Sequence, residues 1–158
     1  MTNALTLDPD RLFSSDPVQR AIARDLYANI KELPILSPHG HTDPRWFADN
    51  TPFGNPAELM LAPDHYIYRM LYSQGLRLED LGVPSRDGEP DVDPRDAWRL
   101  FAANYHLFRG TPSRLWLDHT FATVFGIDVR LGADTADLYY DTIDAALKTD
   151  AFRPRALF

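Results

Sequence analysis

Prolines constrain this chain more than any other residue. Thirteen of them are spread over 158 residues, and many stand directly behind a side chain able to cap a helix. Ser15-Asp16-Pro17, Asp43-Pro44, Asn55-Pro56, Asp93-Pro94 and Thr111-Pro112 all follow that pattern. Proline has no N–H and a fixed φ, so the first turn of a helix is the one helical place that suits it. Asp64 and Asp134 or Thr135 are further caps, and Gly75, Gly110 and Gly126 stand where helices would stop. The pattern predicts a succession of helices after residue 43.

Apolar spacing predicts which faces are buried. Val18, Ile22, Leu26 and Ile30 recur every fourth residue and read as one buried face. Trp98, Phe101, Tyr105 and Phe108 form a stripe on a helix running from Pro94 to Gly110. Leu117, Phe121, Val124 and Phe125 point inward on the next, and Ala136, Tyr139, Tyr140, Ile143 and Leu147 on the last. Aromatic stripes at this spacing are core, and Trp46, Trp98 and Trp116 are expected in the core or at domain contacts. Residues 81–92, with Pro84, Gly88 and Pro90, read as a loop. Residues 33–37 are the one convincing strand. A single strand leaves its edges unpaired, so residues 1–158 read as the front of a longer chain.

Composition narrows the function classes. A hydrophobic fraction of 44% with 25% charged residues is that of a globular domain. Sixteen basic against twenty-three acidic residues give a net charge of −7, which argues against nucleic acid or an anionic membrane as partner. An anionic substrate would need a local basic site. No run is apolar for long enough to span a bilayer. The first ten residues lack the basic start and apolar core of a secretory signal, so cytoplasmic residence is expected. With no cysteine, any metal must be held by His, Asp, Glu or water.

The strand carries a histidine pair at its end, in Pro34-Ile35-Leu36-Ser37-Pro38-His39-Gly40-His41. Alternate side chains of an extended segment share a face, so two imidazoles at i and i+2 can converge on one divalent metal. Asp43 follows closely, but Asp43-Pro44 reads as a helix start. His106 and His119 stand among aromatic residues with no second ligand nearby and read as packing or surface residues. A second cluster lies in Asp64-His65-Tyr66-Ile67-Tyr68-Arg69. Helical spacing puts Ile67, Met70, Leu71 and Gln74 on one side, and His65, Tyr66, Arg69, Tyr72 and Ser73 on the other. A merely solvated face would favour Lys, Glu and Gln. Here the residues suit acid, base and carboxylate clamp, in the first turns of a helix, where free N–H groups favour an anion.

Together, the His-x-His segment and the Asp-His-Tyr helix with Arg69 resemble the N-terminal part of the uronate (glucuronate) isomerase family of the amidohydrolase superfamily. The resemblance implies an α/β fold: a (β/α)8 barrel, of which this chain carries the first strand plus a mainly helical insertion. The implied division is 1–43 for the N-terminal helix and first strand, 44–150 for the insertion, and 151–158 for the return toward the barrel. It implies that His39 and His41 bind a divalent metal, expected to be zinc. It places His65, Tyr66 and Arg69 at the active-site edge facing a hexuronate, with a homo-oligomer as a further expectation. The implied activity interconverts D-glucuronate with D-fructuronate and D-galacturonate with D-tagaturonate.

Such an isomerisation moves one proton between adjacent carbons through an enediol and another between the two oxygens. Tyr66 and His65 are the candidates for proton transfer, and Arg69 for holding the carboxylate, where a bidentate fork favours arginine. No activated water is needed, so the metal is expected chiefly to shape the site. Family members are several hundred residues long, and a 158-residue piece is not expected to turn over substrate by itself. Two alternatives stand beside this one: a metal-dependent hydrolase of the same superfamily, and a non-enzymatic helical interaction module.

Overall fold

Helices begin where a capping side chain meets proline. A computed structural model describes residues 4–36, 42–86, 88 and 90–157. Helix α1 spans Pro17–Ile30, α2 Pro44–Asp49, α3 Pro56–Met60, α4 His65–Ser73, α5 Pro94–Ala103, α6 Pro112–Thr123, α7 Ala136–Leu147 and α8 Pro154–Leu157. Asp16, Asp43, Asn55, Asp64, Asp93 and Thr111 each accept a backbone N–H of the first turn of the helix they precede, which satisfies donors the helix itself leaves unpaired. Thr135 departs from this. It holds the N-cap position of α7, but its hydroxyl donates to the Arg130 carbonyl at 2.8 Å and accepts from the Gly132 N–H at 3.0 Å, tying down the loop before the helix.

The strand expected at 33–37 is not observed over its described part. Residues 33–36 carry no strand, and Ser37 lies outside the described residues. A strand exists only as a ladder with a neighbour, and among the described residues nothing pairs with this segment. The sole β contacts there are isolated antiparallel bridges, Ala4 with Val129 and Ser85 with Gly88. The fold is therefore mainly helical among the described residues.

The core forms around α5 and α7. Trp98, Phe101, Tyr105, Phe108, Phe121 and Tyr139 are fully buried and meet edge to face, Trp98 with Phe101 at 5.3 Å between ring centroids and Phe121 with Tyr139 at 5.0 Å. This arrangement matches the ring quadrupoles. The Trp98 indole N–H donates to the Ala136 carbonyl at 3.1 Å. Leu61, Ile67, Leu71 and Leu81 seat α3, α4 and the 3-10 turn Glu79–Leu81 on the same core. That turn takes the first residue of the expected 81–92 loop.

Three further expectations are corrected. The helix from Pro94 does not run to Gly110. It stops at Ala103, where the Asn104 side chain bonds the Leu100 carbonyl at 2.9 Å, and a separate 3-10 turn, Tyr105–Phe108, follows. Such local side-chain competition is the usual reason asparagine ends a helix. Val124 is exposed rather than inward, while Phe125 stacks on Phe152; Trp116, expected in the core or at a domain contact, lies outside the core. The apolar stripe of α1 is not buried at all: no residue of that helix is.

Two polar devices fix the arrangement. Arg155 donates to the Phe47 and Ala48 carbonyls at 2.6 and 2.7 Å, and its own N–H to Asn50 Oδ1 at 3.0 Å. Arg153 adds a bond to the Asn50 carbonyl. Asn50 is left-handed, with φ +51°, a conformation asparagine tolerates better than most residues. The segment 153–157 is thus tied to the helix that begins three residues after His41. On the far side, Arg95 and Arg99 of α5 both reach Asp137 of α7.

Hydrogen bonds from Arg99, and with them those from Arg95, hold the Asp137 carboxyl below its ordinary value. A depressed folded-state value means stability that is present above the unfolded carboxylate range and lost as pH falls through the folded value. Asp137→Asn should therefore lower the urea midpoint at neutral pH. The gap to wild type should close as pH drops below the ordinary aspartate value of 3.8. A gap independent of pH would contradict this role.

Candidate active-site edge

Helix α4 is where the predicted site can be read. Asp64 accepts the N–H groups of Tyr66 at 2.8 Å and Ile67 at 3.4 Å, so the helix begins at His65. Ile67 and Leu71 enter the core, which turns the opposite face outward. On that face the His65 and Tyr66 rings lie against each other, centroids 4.2 Å apart and tilted by 34°. Tyr66 is 61% exposed, and Arg69 projects from the same face about one turn later. Gln74, expected with the core side, is exposed.

Arg69 is one of several arginines that hold no carboxylate among the described residues, Arg109, Arg130 and Arg155 being others. Arg95, Arg99, Arg114 and Arg153 each hold an aspartate, whereas among the described residues no carboxylate pairs with Arg69. An arginine without a partner, beside an imidazole and a phenol, is suited to an incoming carboxylate. One expectation is corrected. The first-turn N–H groups of α4 are not open to an anion, because Asp64 takes two of them and adds its own negative charge. That leaves the Arg69 guanidinium as the cationic group of this face suited to an anion.

His65, Tyr66 and Arg69 line neither of two surface clefts. One, of about 550 Å3, lies between Ala57, Glu58, Leu81, Pro84, Pro90 and Pro94. The other, of about 670 Å3, lies at the end of α4 around Tyr72, Leu76 and Glu79. Among the described residues, the three therefore lie on the surface outside both clefts.

His39 and His41 lie outside the described residues, so their distance to Tyr66 is not part of this geometry. Their donor chemistry suits a borderline divalent ion: two imidazole nitrogens in a chain without thiols. Two donors are fewer than such an ion requires. Among the described residues no three His, Asp or Glu side chains gather as a metal site. Asp43 is engaged as expected of a helix start, capping α2 through the Arg45 N–H at 2.9 Å and pairing with the Arg45 guanidinium. His106 is exposed. His119 Nδ1 stands 3.0 Å from Arg11 Nη2 and accepts, since arginine only donates.

One partly buried polar cluster was not anticipated from the sequence. Tyr105 donates to Asp118 at 2.9 Å, Arg114 donates to the other Asp118 oxygen at 2.7 Å, and the Arg114 guanidinium lies 3.9 Å from the Tyr105 ring. Burial, with the Asp118 charge beside it, pushes the Tyr105 hydroxyl far above its usual value, so it remains a donor. The Arg114–Asp118 spacing of four was the available signal. The cluster fastens α6 to the turn before it.

Comparison with known proteins identifies the family. The model of the glucuronate isomerase family matches residues 13–158. A uronate isomerase of Sphingopyxis alaskensis is 65% identical over the whole chain, which covers 33% of that protein. One of Phenylobacterium zucineum is 61% identical with the same coverage. The crystal structure of glucuronate isomerase from Caulobacter crescentus superposes with a TM-score of 0.96 at 61% identity, over 98% of this chain and 32% of that one. A Thermotoga maritima uronate isomerase, at 23% identity, shares the fold with a TM-score of 0.75. The chain thus spans about a third of the length of the curated relatives it matches.

Proposed function

This chain belongs to the glucuronate isomerase family, and we propose that it supplies the substrate-binding and proton-transfer edge of a hexuronate aldose–ketose isomerase. The substrates of this reading are D-glucuronate, giving D-fructuronate, and D-galacturonate, giving D-tagaturonate. The remainder of the active site would come from the two-thirds of the relatives' length that this chain does not span. The observation that carries the proposal is Arg69, free of carboxylate partners among the described residues and one turn from the paired rings of His65 and Tyr66.

Arg69 holds the sugar carboxylate with two N–H donors, which fixes the far end of the substrate. The reacting end then lies toward the two rings. Isomerisation removes the proton on C2 of the aldose, forms the enediol and returns a proton to C1, while a second proton passes from the C2 hydroxyl to the C1 oxygen. Tyr66 carries the oxygen-to-oxygen proton or donates to the developing oxyanion, and His65, in ring contact with it, shares that duty. His39 and His41 would hold a divalent ion such as zinc, which when bound polarises substrate oxygens as a Lewis acid.

The test is a full-length chimera in which this chain replaces the corresponding part of the Caulobacter crescentus enzyme. Arg69→Met in that chimera should raise KM for D-glucuronate by ~10- to 100-fold, the loss expected for a charge-assisted hydrogen bond, with a smaller effect on kcat. An unchanged KM would assign Arg69 to structure.

A further inference from the structure

We propose that Arg155 is a positioning residue for the metal-binding histidines: by clasping the end of α2, it fixes the point at which the chain carrying His39 and His41 meets the folded helices. This rests on the reading above that His39 and His41 hold a divalent ion. Helix α2 begins at Pro44, and its cap Asp43 stands two residues after His41. Wherever α2 is held, the junction with the His-x-His segment is held with it.

Helix α2 cannot hold itself. It has six residues and none is buried, and an isolated helix shorter than ~12–15 residues is marginal in water. One apolar contact comes from the Trp46 ring, which meets Phe53 edge to face at 5.1 Å. Polar anchorage is dense at the C-terminal end, where the last carbonyls of a helix lack partners within it. Arg155 donates from Nε to the Phe47 carbonyl at 2.6 Å and from Nη2 to the Ala48 carbonyl at 2.7 Å. Arg153 donates to the Asn50 carbonyl at 3.1 Å, and the Arg155 N–H to Asn50 Oδ1 at 3.0 Å. Two arginines thus satisfy three carbonyls and set positive charge at the negative end of the helix.

The other side of the clasp is rooted in the core. Pro154, between the two arginines, is buried. Phe152 of the 3-10 turn Asp150–Phe152 stacks on Phe125 at 5.5 Å between centroids. That turn follows α7, whose Ile143 and Leu147 are fully buried. A continuous path therefore runs from the core through Phe152, Pro154 and Arg155 to α2 and its cap Asp43. One planar guanidinium meets two carbonyls of α2 at once, a geometry that a lysine ammonium does not reproduce.

The experiment measures zinc affinity, by competition with a chromophoric chelator, and amide exchange of residues 45–50, both in the full-length chimera. Arg155→Ala should weaken zinc binding by ~10- to 100-fold, the range for losing a group that orients metal ligands, and Arg155→Lys by less. Exchange over 45–50 should quicken in both, while α5–α7 stay protected. Asn50→Gly keeps the left-handed turn but deletes the Oδ1 acceptor, so its zinc affinity should fall between those of the intact chimera and Arg155→Ala. Cobalt in place of zinc should show an altered visible spectrum in Arg155→Ala, a change that lost stability alone does not produce. Should Arg155→Ala fail to fold, Arg155→Lys and Asn50→Gly decide the matter by the same readings. Zinc affinity and cobalt spectrum equal to those of the intact chimera, even with faster exchange, overturn the proposal. His39→Ala with His41→Ala separates the two readings. If that double variant loses zinc while the Arg155 variants keep it, positioning by Arg155 falls alone. If it binds zinc as tightly as the intact chimera, the metal reading falls and this proposal with it.

Discussion

Replacing Tyr66 by Phe in the full-length chimera should lower kcat by ~10^2- to 10^4-fold, the span of a positioned acid–base group. The substitution deletes one oxygen from a side chain that is mostly in solvent, so the core residues Ile67 and Leu71 on the other side of α4 keep their packing and stability should not move. KM should change little, because the proposal assigns carboxylate binding to Arg69. That separation gives the prediction its force. A fall in kcat with an unchanged unfolding midpoint places the phenol in the chemistry, and unchanged turnover removes it. His65→Ala should cost less, as the neighbouring phenol survives.

The largest effect on stability is expected at Trp98. Its indole is fully buried, touches Phe101, Phe121 and Tyr140 edge to face, and donates its N–H to the Ala136 carbonyl. Trp98→Ala opens a cavity at the junction of α5, α6 and α7 and should cost about 3–5 kcal/mol. Urea unfolding with an unchanged slope would read this as a shifted midpoint. Trp116→Ala, at an exposed position of α6, should fall within about 0.5 kcal/mol of wild type. A Trp98 variant as stable as the Trp116 variant would refute the core described here.

The helical frame was legible because its signals are local. Asp16-Pro17, Asp43-Pro44, Asn55-Pro56 and Asp93-Pro94 combine a cap with the one residue that starts a helix and cannot continue it, and each opens a helix. The faces of α5 and α7 were legible for the same reason: their aromatic stripes meet each other within this chain. The face of α1 misled. Its spacing is as regular as that of α7, but spacing reports that a face is apolar and not what covers it. The strand expected at 33–37 is not seen over 33–36, since a ladder depends on a partner segment that no local pattern supplies. The Asn50–Arg155 tie spans 105 positions and had no signature beyond an asparagine at a helix end.

The candidate site was legible to a similar degree. The outward face of His65, Tyr66 and Arg69 followed from periodicity, and α4 shows it. Arg69's lack of a carboxylate partner did not follow, because it depends on where each aspartate of the fold is spent. Asp64 illustrates the converse. It was readable as a cap, and that capping is what closes the first turn of α4 to an external anion.

The most direct test of the account is conversion of D-glucuronate followed by NMR in the full-length chimera, with α4 intact and with His65→Ala, Tyr66→Phe and Arg69→Met combined. The intact chimera should form D-fructuronate. The triple variant, equally folded by circular dichroism, should form none above the uncatalysed rate. Turnover by the triple variant at the intact rate would contradict the claim that this edge of α4 binds and transforms the sugar acid.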